Sequence, residues 1–325
     1  MNSPSAYFTV EVAAVLDAPL AEVGTVTVAQ LAGAEEFEKR RWLYIITMPI
    51  FWFLTFWVMA KKKICRLLDR PDPSTNSFWF DSLGSSGRKV KDNVASWHAL
   101  DIIYNRRFGE TKDIRGFVER FWGNMLNCKA VRNRLKLAKQ ELRRAILQFS
   151  NHEEVRLLSL ASGSAQGVIE IMAELKVRGI FVRAILLDID QTALDYAMEL
   201  ARSHGVDDRV NTIKASVANV SRVSRNFRPQ IIEMLGLLDY IPQDKAIRLV
   251  RKICESLEAK GIFLTCNIRH NSECHFIKWV INWPMVYRTP AELAEIVCKA
   301  GFSNFRLVYE PLKIHGLVIA QKDGV

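Results

Sequence analysis

The sequence predicts an α/β fold: a doubly wound seven-stranded sheet, mostly parallel with an antiparallel last strand, preceded by an N-terminal hydrophobic helix and a helical cover. From Glu154 onward, short apolar runs alternate with helical patterns, which is typical of parallel strands with helices on both faces. At the end of the chain, "NFRLVYEPL" and "KIHGLVIAQK" are two apolar runs joined by a short turn. Such a tight connection forces antiparallel pairing.

The charge of the chain is unevenly distributed. The 325 residues carry a formal net charge of +10, yet residues 1–38 hold six acids and no base, which leaves +16 on the remainder. This excess indicates an anionic neighbour for the later part of the chain. The six cysteines are dispersed and form no CxxC pair, which favours a reducing compartment.

A hydrophobic helix is predicted at residues 39–64, after an acidic segment at 1–38. Residues 42–60 carry no charge and are bounded by arginines on one side and lysines on the other. A helix of this length extends roughly 28 Å, about the thickness of a bilayer's hydrocarbon core. The run begins too late and is too long for a secretory signal. The basic residues after it predict a membrane-associated protein with its catalytic domain in the cytoplasm.

The topology of this helix is open at the level of the sequence. Pro49 removes a backbone donor in the middle of the run, and its aromatic residues are not confined to the ends. A segment lying in one leaflet is therefore an alternative to a transmembrane helix. An aromatic-rich helix buried in an oligomer is a third interpretation.

Between the hydrophobic helix and the sheet, a linker is predicted at 65–95 and a helical cover at 96–150, followed by a Rossmann-like domain at 151–325. The clearest helix of the cover lies in "CKAVRNRLKLAKQELRRAILQF", where apolar residues recur every three or four positions. Its other face carries seven bases between residues 129 and 144. These bases indicate a solvated surface, contact with anionic lipid head groups, or contact with RNA phosphates.

The first strand of the predicted sheet, in "VRLLSLASGSAQG", leads into a turn of small residues. In doubly wound sheets this turn brings the backbone close to a ligand beyond the strand ends. The next strand ends in "LLDIDQTAL", where Asp188 lies 25 residues after Gly163. A carboxylate at that position accepts hydrogen bonds from ribose hydroxyls in nucleotide-binding folds.

Residues 154–322 resemble the class I S-adenosylmethionine-dependent methyltransferases. The family's first motif has the pattern DxGxGxG, and this chain has Ser159, Ala161, Gly163 and Ala165 at those places. "LLDIDQTALDYAMELA" resembles the second motif, and "PQIIEMLGLLDYIP" the fourth strand with its loop. A fainter resemblance, in "WPMVYRTPAELAEIVCKAGF" and "KAVRNRLKLAKQEL", is to bacterial methyltransferases linked to lipid metabolism.

The resemblance implies S-adenosylmethionine as the cofactor and Asp188 as its ribose ligand. Alanine in place of glycine permits close backbone approach where φ is negative, so the turn is expected to be usable. Ser159 replaces an acid that commonly helps to hold the methionine end, and Glu233 or Gln166 are candidates to replace it. The predicted cofactor-binding residues are Ala161, Ser162, Gly163, Ser164, Gln166, Asp188, Ile189, Ser216 and Glu233.

The cofactor carries its own leaving group, so the protein mainly has to align the reactants and exclude water. A hydroxyl acceptor needs a base within reach, whereas a carboxylate does not. Tyr240 and His270, at predicted strand ends, are the catalytic candidates. Asp239, Tyr287 and Arg288 are the candidates for substrate binding, and Arg288 suits a carboxylate or phosphate.

These observations predict methyl transfer to a small hydrophobic or amphipathic, lipid-like acceptor at a membrane. An RNA methyltransferase using the basic helix is one alternative, and a catalytically inactive scaffold or assembly subunit is another. No metal is expected, because the spacing of His270, Cys274 and His275 does not match a zinc pattern. A structural or substrate-facing loop is predicted there instead.

Overall fold

The computed structural model describes residues 8–10, 24–28, 37–39, 43–73, 85–107, 109 and 111–324. The strands in these residues are β1 (Phe8–Val10), β2 (Gly24–Val28), β3 (Val155–Leu160), β4 (Val182–Asp188), β5 (Val210–Lys214), β6 (Ile231–Met234), β7 (Ile262–Ile268), β8 (Asn304–Tyr309) and β9 (His315–Gln321).

The α-helices are α1 (Leu43–Leu67), α2 (Ser85–Asp92), α3 (Trp97–Tyr104), α4 (Ile114–Gly123), α5 (Leu126–Gln148), α6 (Gln166–Val177), α7 (Gln191–Ser203), α8 (Val220–Phe227), α9 (Gln243–Ser256), α10 (Cys274–Trp279) and α11 (Pro290–Ala300). Short 3-10 helices lie at Asp207–Arg209, Val217–Asn219 and Leu237–Tyr240.

The chain divides into two compact units. The sheet unit comprises Met1–Phe37, Arg134–Arg269 and Val286–Val325, and the helical unit comprises Glu38–Asn133 and His270–Met285. Each is described by itself below. The five-segment domain division inferred from the sequence stays a prediction.

The sheet has the strand order β1-β2-β8-β9-β7-β6-β3-β4-β5. Strands β3 to β8 run parallel, and β9 lies antiparallel between β7 and β8. The predicted α/β class and seven-stranded mixed sheet are therefore confirmed. Strand β2 extends this sheet by pairing parallel with β8, and β1 pairs antiparallel with β2. This extension lies in the segment that the sequence marked only as acidic.

The core of the sheet unit has a layer of helices on each face of the sheet. One cluster joins β3, β6 and β7 to α8, α9 and α11. The other joins β3, β4 and β7 to α5, α6 and α7. Every residue of β7 is buried, as expected for a central strand covered by helices on both faces of the sheet. Helix α11 begins with a capping box between Thr289 and Glu292, and Gly301 caps its C-terminal end in a left-handed conformation.

The helical unit is organised around α1. The ring of Phe51 stacks on Phe121 of α4 at 5.5 Å and meets Phe276 of α10 edge-on at 5.1 Å. Helix α1 continues through Pro49, and its segment Ile45–Leu67 is long and apolar enough to cross a membrane. The predicted hydrophobic helix is therefore present, three residues longer at its C-terminal end than expected.

A buried glutamate fixes the beginning of α5. The carboxylate of Glu273 accepts hydrogen bonds from the backbone N–H groups of Leu126 and Asn127, each at 2.9 Å. These are the first two residues of α5, whose N–H groups have no partner within the helix. The loop predicted around His270 to His275 is thus partly helical, because Cys274–Trp279 forms α10. The segment predicted as linker likewise contains α2 among its described residues.

The basic face predicted for α5 is not an open surface. Lys129, Arg132 and Arg134 are buried, while Lys139 pairs with Glu170 at 2.9 Å and Arg143 with Glu174 at 2.5 Å. The expectation of a solvated basic stripe is therefore wrong for these residues. The helix is enclosed on more than one face, and acids distant in sequence neutralise its bases.

Candidate active site

The turn between β3 and α6 adopts an alternating left-handed backbone. The φ angle is +50° at Ala161, +52° at Gly163 and +48° at Ala165. Negative φ, the condition under which alanine was expected to permit close backbone approach, is not met: both alanines occupy the left-handed region that glycine adopts freely. Each alanine costs about 1 kcal/mol in this region. Such strain persists where the surrounding structure holds it, and it clusters at ligand-binding sites.

Asp188, at the tip of β4, faces this turn. One carboxylate oxygen accepts the backbone N–H of Gly163 at 2.8 Å, and the other accepts the N–H of Asp190 at 2.9 Å. The side chain is only half-buried. The spacing in the sequence thus correctly placed Asp188 beside Gly163, and lone pairs of the carboxylate are left for a ligand's hydroxyl groups. Its role as a ribose ligand stays a prediction.

The other predicted cofactor residues surround the same strand tips. Ser164 is buried, and the hydroxyl of Ser162 is enclosed without a hydrogen-bond partner among the described residues. Gln166 donates to Glu170 at 2.8 Å along α6. Ile189 is exposed beside Asp188. Ser216 is exposed beyond β5, where its Oγ accepts the N–H of Ala218 at 3.3 Å.

Glu233 lies on β6 directly beside Ser159, the position at which the family's first motif has an acid. Ser159 and Glu233 are directly paired on β3 and β6, and the Ser159 hydroxyl donates to the Glu233 carboxylate at 2.5 Å. Burial raises the pKa of Glu233 to about 7, although the Ser159 hydrogen bond and the charge of Arg134 oppose the shift. A carboxyl group is thus present at this position, supplied by the neighbouring strand.

Asp239 and Arg288 are tied together through Asn267 at the end of β7. Asp239 accepts from the Asn267 amide at 2.5 Å and from the Ile268 N–H at 2.8 Å. Arg288 donates to the Asn267 oxygen at 2.5 Å, to the Leu238 carbonyl at 2.6 Å and also to the Ile241 carbonyl. These contacts fix the loop after β6. Burial raises the pKa of Asp239 to about 6, against the charge of Arg134.

The remaining candidates lie at different places. Tyr240 ends the 3-10 helix after β6 and is exposed, and Tyr287 is half-buried. His270 belongs to the helical unit, where its exposed ring lies 6.4 Å from the ring of His275. The catalytic and substrate-binding roles of these residues stay predictions.

Sequence reasoning missed Arg134 as a member of the site. Its guanidinium lies 4.0 Å from the Asp239 carboxylate and also acts on the pKa of Glu233. The spacing in the sequence puts Arg134 on one face of α5 with Leu137, Glu141 and Ala145, but spacing alone does not show that this face is buried. Asn267 was also missed, because a single amide in an apolar strand carries no motif.

A groove of about 720 Å³ opens between β5 and α8, lined in part by Ile185, Ile213, Lys214, Arg222 and Phe227. None of its lining residues belongs to the turn at 161–167. It reaches Ala215 and Asn219, on either side of the predicted cofactor-binding residue Ser216.

The strand order, the turn after β3 and the carboxylate at the tip of β4 together define a Rossmann-like fold of the class I methyltransferase type. The chain belongs to the methyltransferase family described as "Putative methyltransferase", which matches residues 80–322. The resemblance seen in the sequence is therefore confirmed for family and fold, and the protein is a methyltransferase by family. The link to lipid metabolism stays a prediction.

Solved structures resemble this chain at low sequence identity. A Bordetella parapertussis protein described as a possible exported protein is 14% identical, with a TM-score of 0.64 over 84% of this chain and 97% of that one. The magnesium protoporphyrin IX methyltransferase of Synechocystis PCC 6803, solved with bound SAH, is 10% identical. Its TM-score is 0.49 over 69% of this chain and 98% of that one. No curated protein matches the sequence.

Proposed function

We propose that this protein transfers a methyl group from S-adenosylmethionine to a small hydrophobic or amphipathic, lipid-like acceptor at a membrane. The cofactor would bind at the turn 161–167 and at Asp188. The catalytic unit of the protein would face the cytoplasm, on the side indicated by the basic residues between positions 61 and 70, at the C-terminal end of α1.

The observation that carries the cofactor assignment is the joint position of Asp188 and Gly163. The Gly163 N–H holds the carboxylate at the tip of β4, and the half-buried side chain keeps accepting capacity toward solvent. The left-handed backbone at Ala161, Gly163 and Ala165 brings main-chain atoms, instead of bulky side chains, to the same edge. The enclosed Ser162 hydroxyl adds a polar group to this turn.

Glu233 would hold the cationic amino group of the cofactor's methionine end. Its carboxyl group is hydrogen-bonded to Ser159, at the motif position where the family keeps an acid. A buried carboxyl group of raised pKa gains most from an arriving cation, because the cation offsets the cost of ionising it. Glu233 on β6 would therefore replace the acid that the family has at the position of Ser159.

The cofactor supplies an activated methyl group with its own leaving group, so the protein's task is positioning. Arg288, Asn267 and Asp239 hold the loop after β6, which carries the exposed Tyr240. Tyr240 is our first candidate for contact with a hydroxyl acceptor. His270 is the second, and Tyr287, Asp239 and Arg288 remain candidates for substrate contact.

The apolar surface of α1 supports a lipid-like acceptor. The RNA alternative loses its main support, because the bases of α5 are largely buried or ion-paired. The inactive-scaffold alternative is decided by cofactor binding, because such a scaffold has no need to retain a cofactor site.

Calorimetry with S-adenosylmethionine tests the proposal. We expect wild-type protein to bind and Asp188→Ala to bind at least tenfold more weakly, since a lost charge-assisted hydrogen bond is worth about 1.5 to 3 kcal/mol. The matched control is Asp195→Ala, which removes an exposed carboxylate from α7 and should bind as wild type does. Absence of binding heat from correctly folded wild-type protein would refute the proposal and favour the scaffold.

A further inference from the structure

The surface of α1 divides into two faces. Phe51, Thr55, Val58 and Lys62 are buried and recur at helical spacing, so one face packs within the helical unit. The opposite face is apolar and exposed. It carries Ile45, Ile46, Ile50, Trp52, Phe53, Phe56, Trp57, Ile64 and Leu67.

The exposed face is larger than isolated surface residues require. The side chains of Trp52, Phe53, Phe56 and Trp57 are 60 to 67% exposed. Together they present on the order of 500 Å² of aromatic surface, about the size of the largest apolar patch on a typical soluble monomer. Ile114 and Phe117 of α4 in the same unit add further exposed apolar surface. A helix that is apolar all round requires apolar surroundings on every face, and among the described residues protein covers one face of α1.

Lys62 shows how the helix lies relative to those surroundings. Its ammonium group is buried and donates to the Trp279 carbonyl at 2.9 Å and to the Asn282 side chain. From Phe51 to Lys62, about 17 Å of helix is packed on polypeptide. If α1 spanned a bilayer while packed on α10 in this way, α10 would also lie in the hydrocarbon. Helix α10 carries the exposed side chains of His275 and Lys278. Buried charge and adjoining polar segments at that depth are costly.

The charges near the exposed face complement an anionic surface. Residues 61–72 contain five bases and two acids, and Lys61, Lys63, Arg66 and Arg70 are exposed. Beside Ile114 and Phe117 on α4 lie the exposed Lys112 and Arg115. Basic residues next to exposed Trp and Phe are typical of helices lying at the interface of anionic membranes.

We infer that α1 is an in-plane membrane anchor: its Trp52–Trp57 face inserts into one leaflet of an anionic bilayer, and its Phe51–Lys62 face stays packed on the protein. This deepens the proposed function, on which it rests, by giving an apolar acceptor access to the protein from a single leaflet. It also decides between the spanning and in-plane topologies left open by the sequence.

Vesicle flotation tests the anchor. Wild-type protein should float with vesicles of phosphatidylcholine containing 30 mol% phosphatidylglycerol, and at least fivefold less with phosphatidylcholine alone, because the basic residues favour anionic lipid. The triple variant Phe53→Ser, Phe56→Ser, Trp57→Ser should lose at least tenfold of this binding. Val177→Ser is the matched control, since Val177 is 89% exposed on α6 of the sheet unit, and it should float as wild type does. Equal flotation of the triple variant and wild type overturns the inference.

Depth-dependent quenching distinguishes the topologies. An in-plane helix lies roughly 5 to 10 Å into the head-group and acyl boundary, so bromines at acyl carbons 6 and 7 should quench Trp52 and Trp57 more than bromines at carbons 11 and 12. The signal is the difference between wild type and Trp52→Phe, Trp57→Phe. Stronger quenching by the deep bromines overturns the in-plane assignment.

Two further measurements separate the other outcomes. Analytical ultracentrifugation tests whether the exposed face instead joins two copies of the chain. If wild type is a dimer that does not bind vesicles and the triple variant is a monomer, the inference fails. Calorimetry on the triple variant should give wild-type affinity for S-adenosylmethionine. If wild-type protein binds S-adenosylmethionine but does not float with vesicles, the anchor alone is refuted. If it floats but does not bind the cofactor, the proposed methyl transfer is refuted.

Discussion

Two glutamates, one in each unit, lie close to arginines of the same helix and have opposite pKa shifts. The carboxylate of Glu38, in the helical unit, accepts hydrogen bonds from the Nε and Nη2 atoms of Arg132 at 2.5 and 2.8 Å and a third hydrogen bond from Arg106. Burial raises its pKa, but the hydrogen bonds and charges of the two arginines outweigh burial and lower it. Glu233, in the sheet unit, has Ser159 as its partner, and its pKa rises to about 7.

The difference separates a structural carboxylate from one suited to binding. Glu38 is matched by cations within the protein, so it has little to gain from a ligand. Glu233 is enclosed and only partly compensated, so an external cation stabilises its charged form. Proximity to an arginine alone does not decide the role of a carboxylate. The geometry of pairing does.

The largest expected effect comes from breaking the structural pair. Glu38→Ala should lower the free energy of unfolding by about 3 kcal/mol, because it leaves the guanidinium of Arg132 buried without its carboxylate. Urea denaturation measures the loss. Asp92→Ala, which removes an exposed ion pair with Arg88 in the same unit, should change stability by less than about 0.5 kcal/mol. A loss equally small for Glu38→Ala would show that this pair is not structural.

The second prediction concerns Glu233 and has the opposite sign. Below pH 4.5 the carboxyl group is protonated in both folded and unfolded chains. Between pH 4.5 and 7 the unfolded chain ionises first, so stability falls as the pH rises through this window. Glu233→Gln should therefore raise the free energy of unfolding at pH 8 by about 2 kcal/mol and flatten the pH dependence. Glu199→Gln, at an exposed carboxylate of α7, should do neither.

The elements of the site that the sequence predicted are those set by strand order. Parallel strands end at one edge of the sheet, so Gly163 after β3 and Asp188 after β4 had to approach each other. The left-handed backbone at Ala161 and Ala165 was not predicted, since alanine rarely adopts it. The turn is therefore left-handed at two positions where the family's motif has glycine and this chain has alanine.

The burial of the basic helix could not be predicted from periodicity. Arg132 pairs with an acid 94 residues away in sequence, and Arg143 with one 31 residues away. Periodicity shows which residues share a helix face, but not whether that face meets solvent or another segment. The partners of Arg288 could not be predicted for a related reason: it donates to the backbone carbonyls of Leu238 and Ile241 as well as to the side chains of Gln243 and Asn267, and backbone carbonyls have no sequence signature.

The third prediction concerns the contribution of Glu233 to cofactor binding. Binding of a cationic amino group should favour ionised Glu233, so the affinity for S-adenosylmethionine should rise about tenfold from pH 5.5 to 7.5, or about 1.4 kcal/mol. The cofactor's own amino group, with a pKa of roughly 8, stays largely protonated over this range. Glu233→Gln should bind more weakly at pH 7.5 and lose the pH dependence. An unchanged slope in calorimetry would remove Glu233 from the cofactor site.

The smallest expected effect compares backbone strain in the two units. Ala161 in the turn and Ala95 between α2 and α3 both have positive φ, +50° and +60°. Glycine at either position should raise the free energy of unfolding by roughly 0.5 to 1 kcal/mol, because it removes the left-handed penalty. Urea denaturation of Ala161→Gly and Ala95→Gly checks this. Both variants should keep the wild-type affinity for S-adenosylmethionine within twofold, since the native backbone is already the one that glycine favours. A larger loss for Ala161→Gly alone would mean that its methyl group contacts the ligand, and the turn would then contribute more than its main chain to binding.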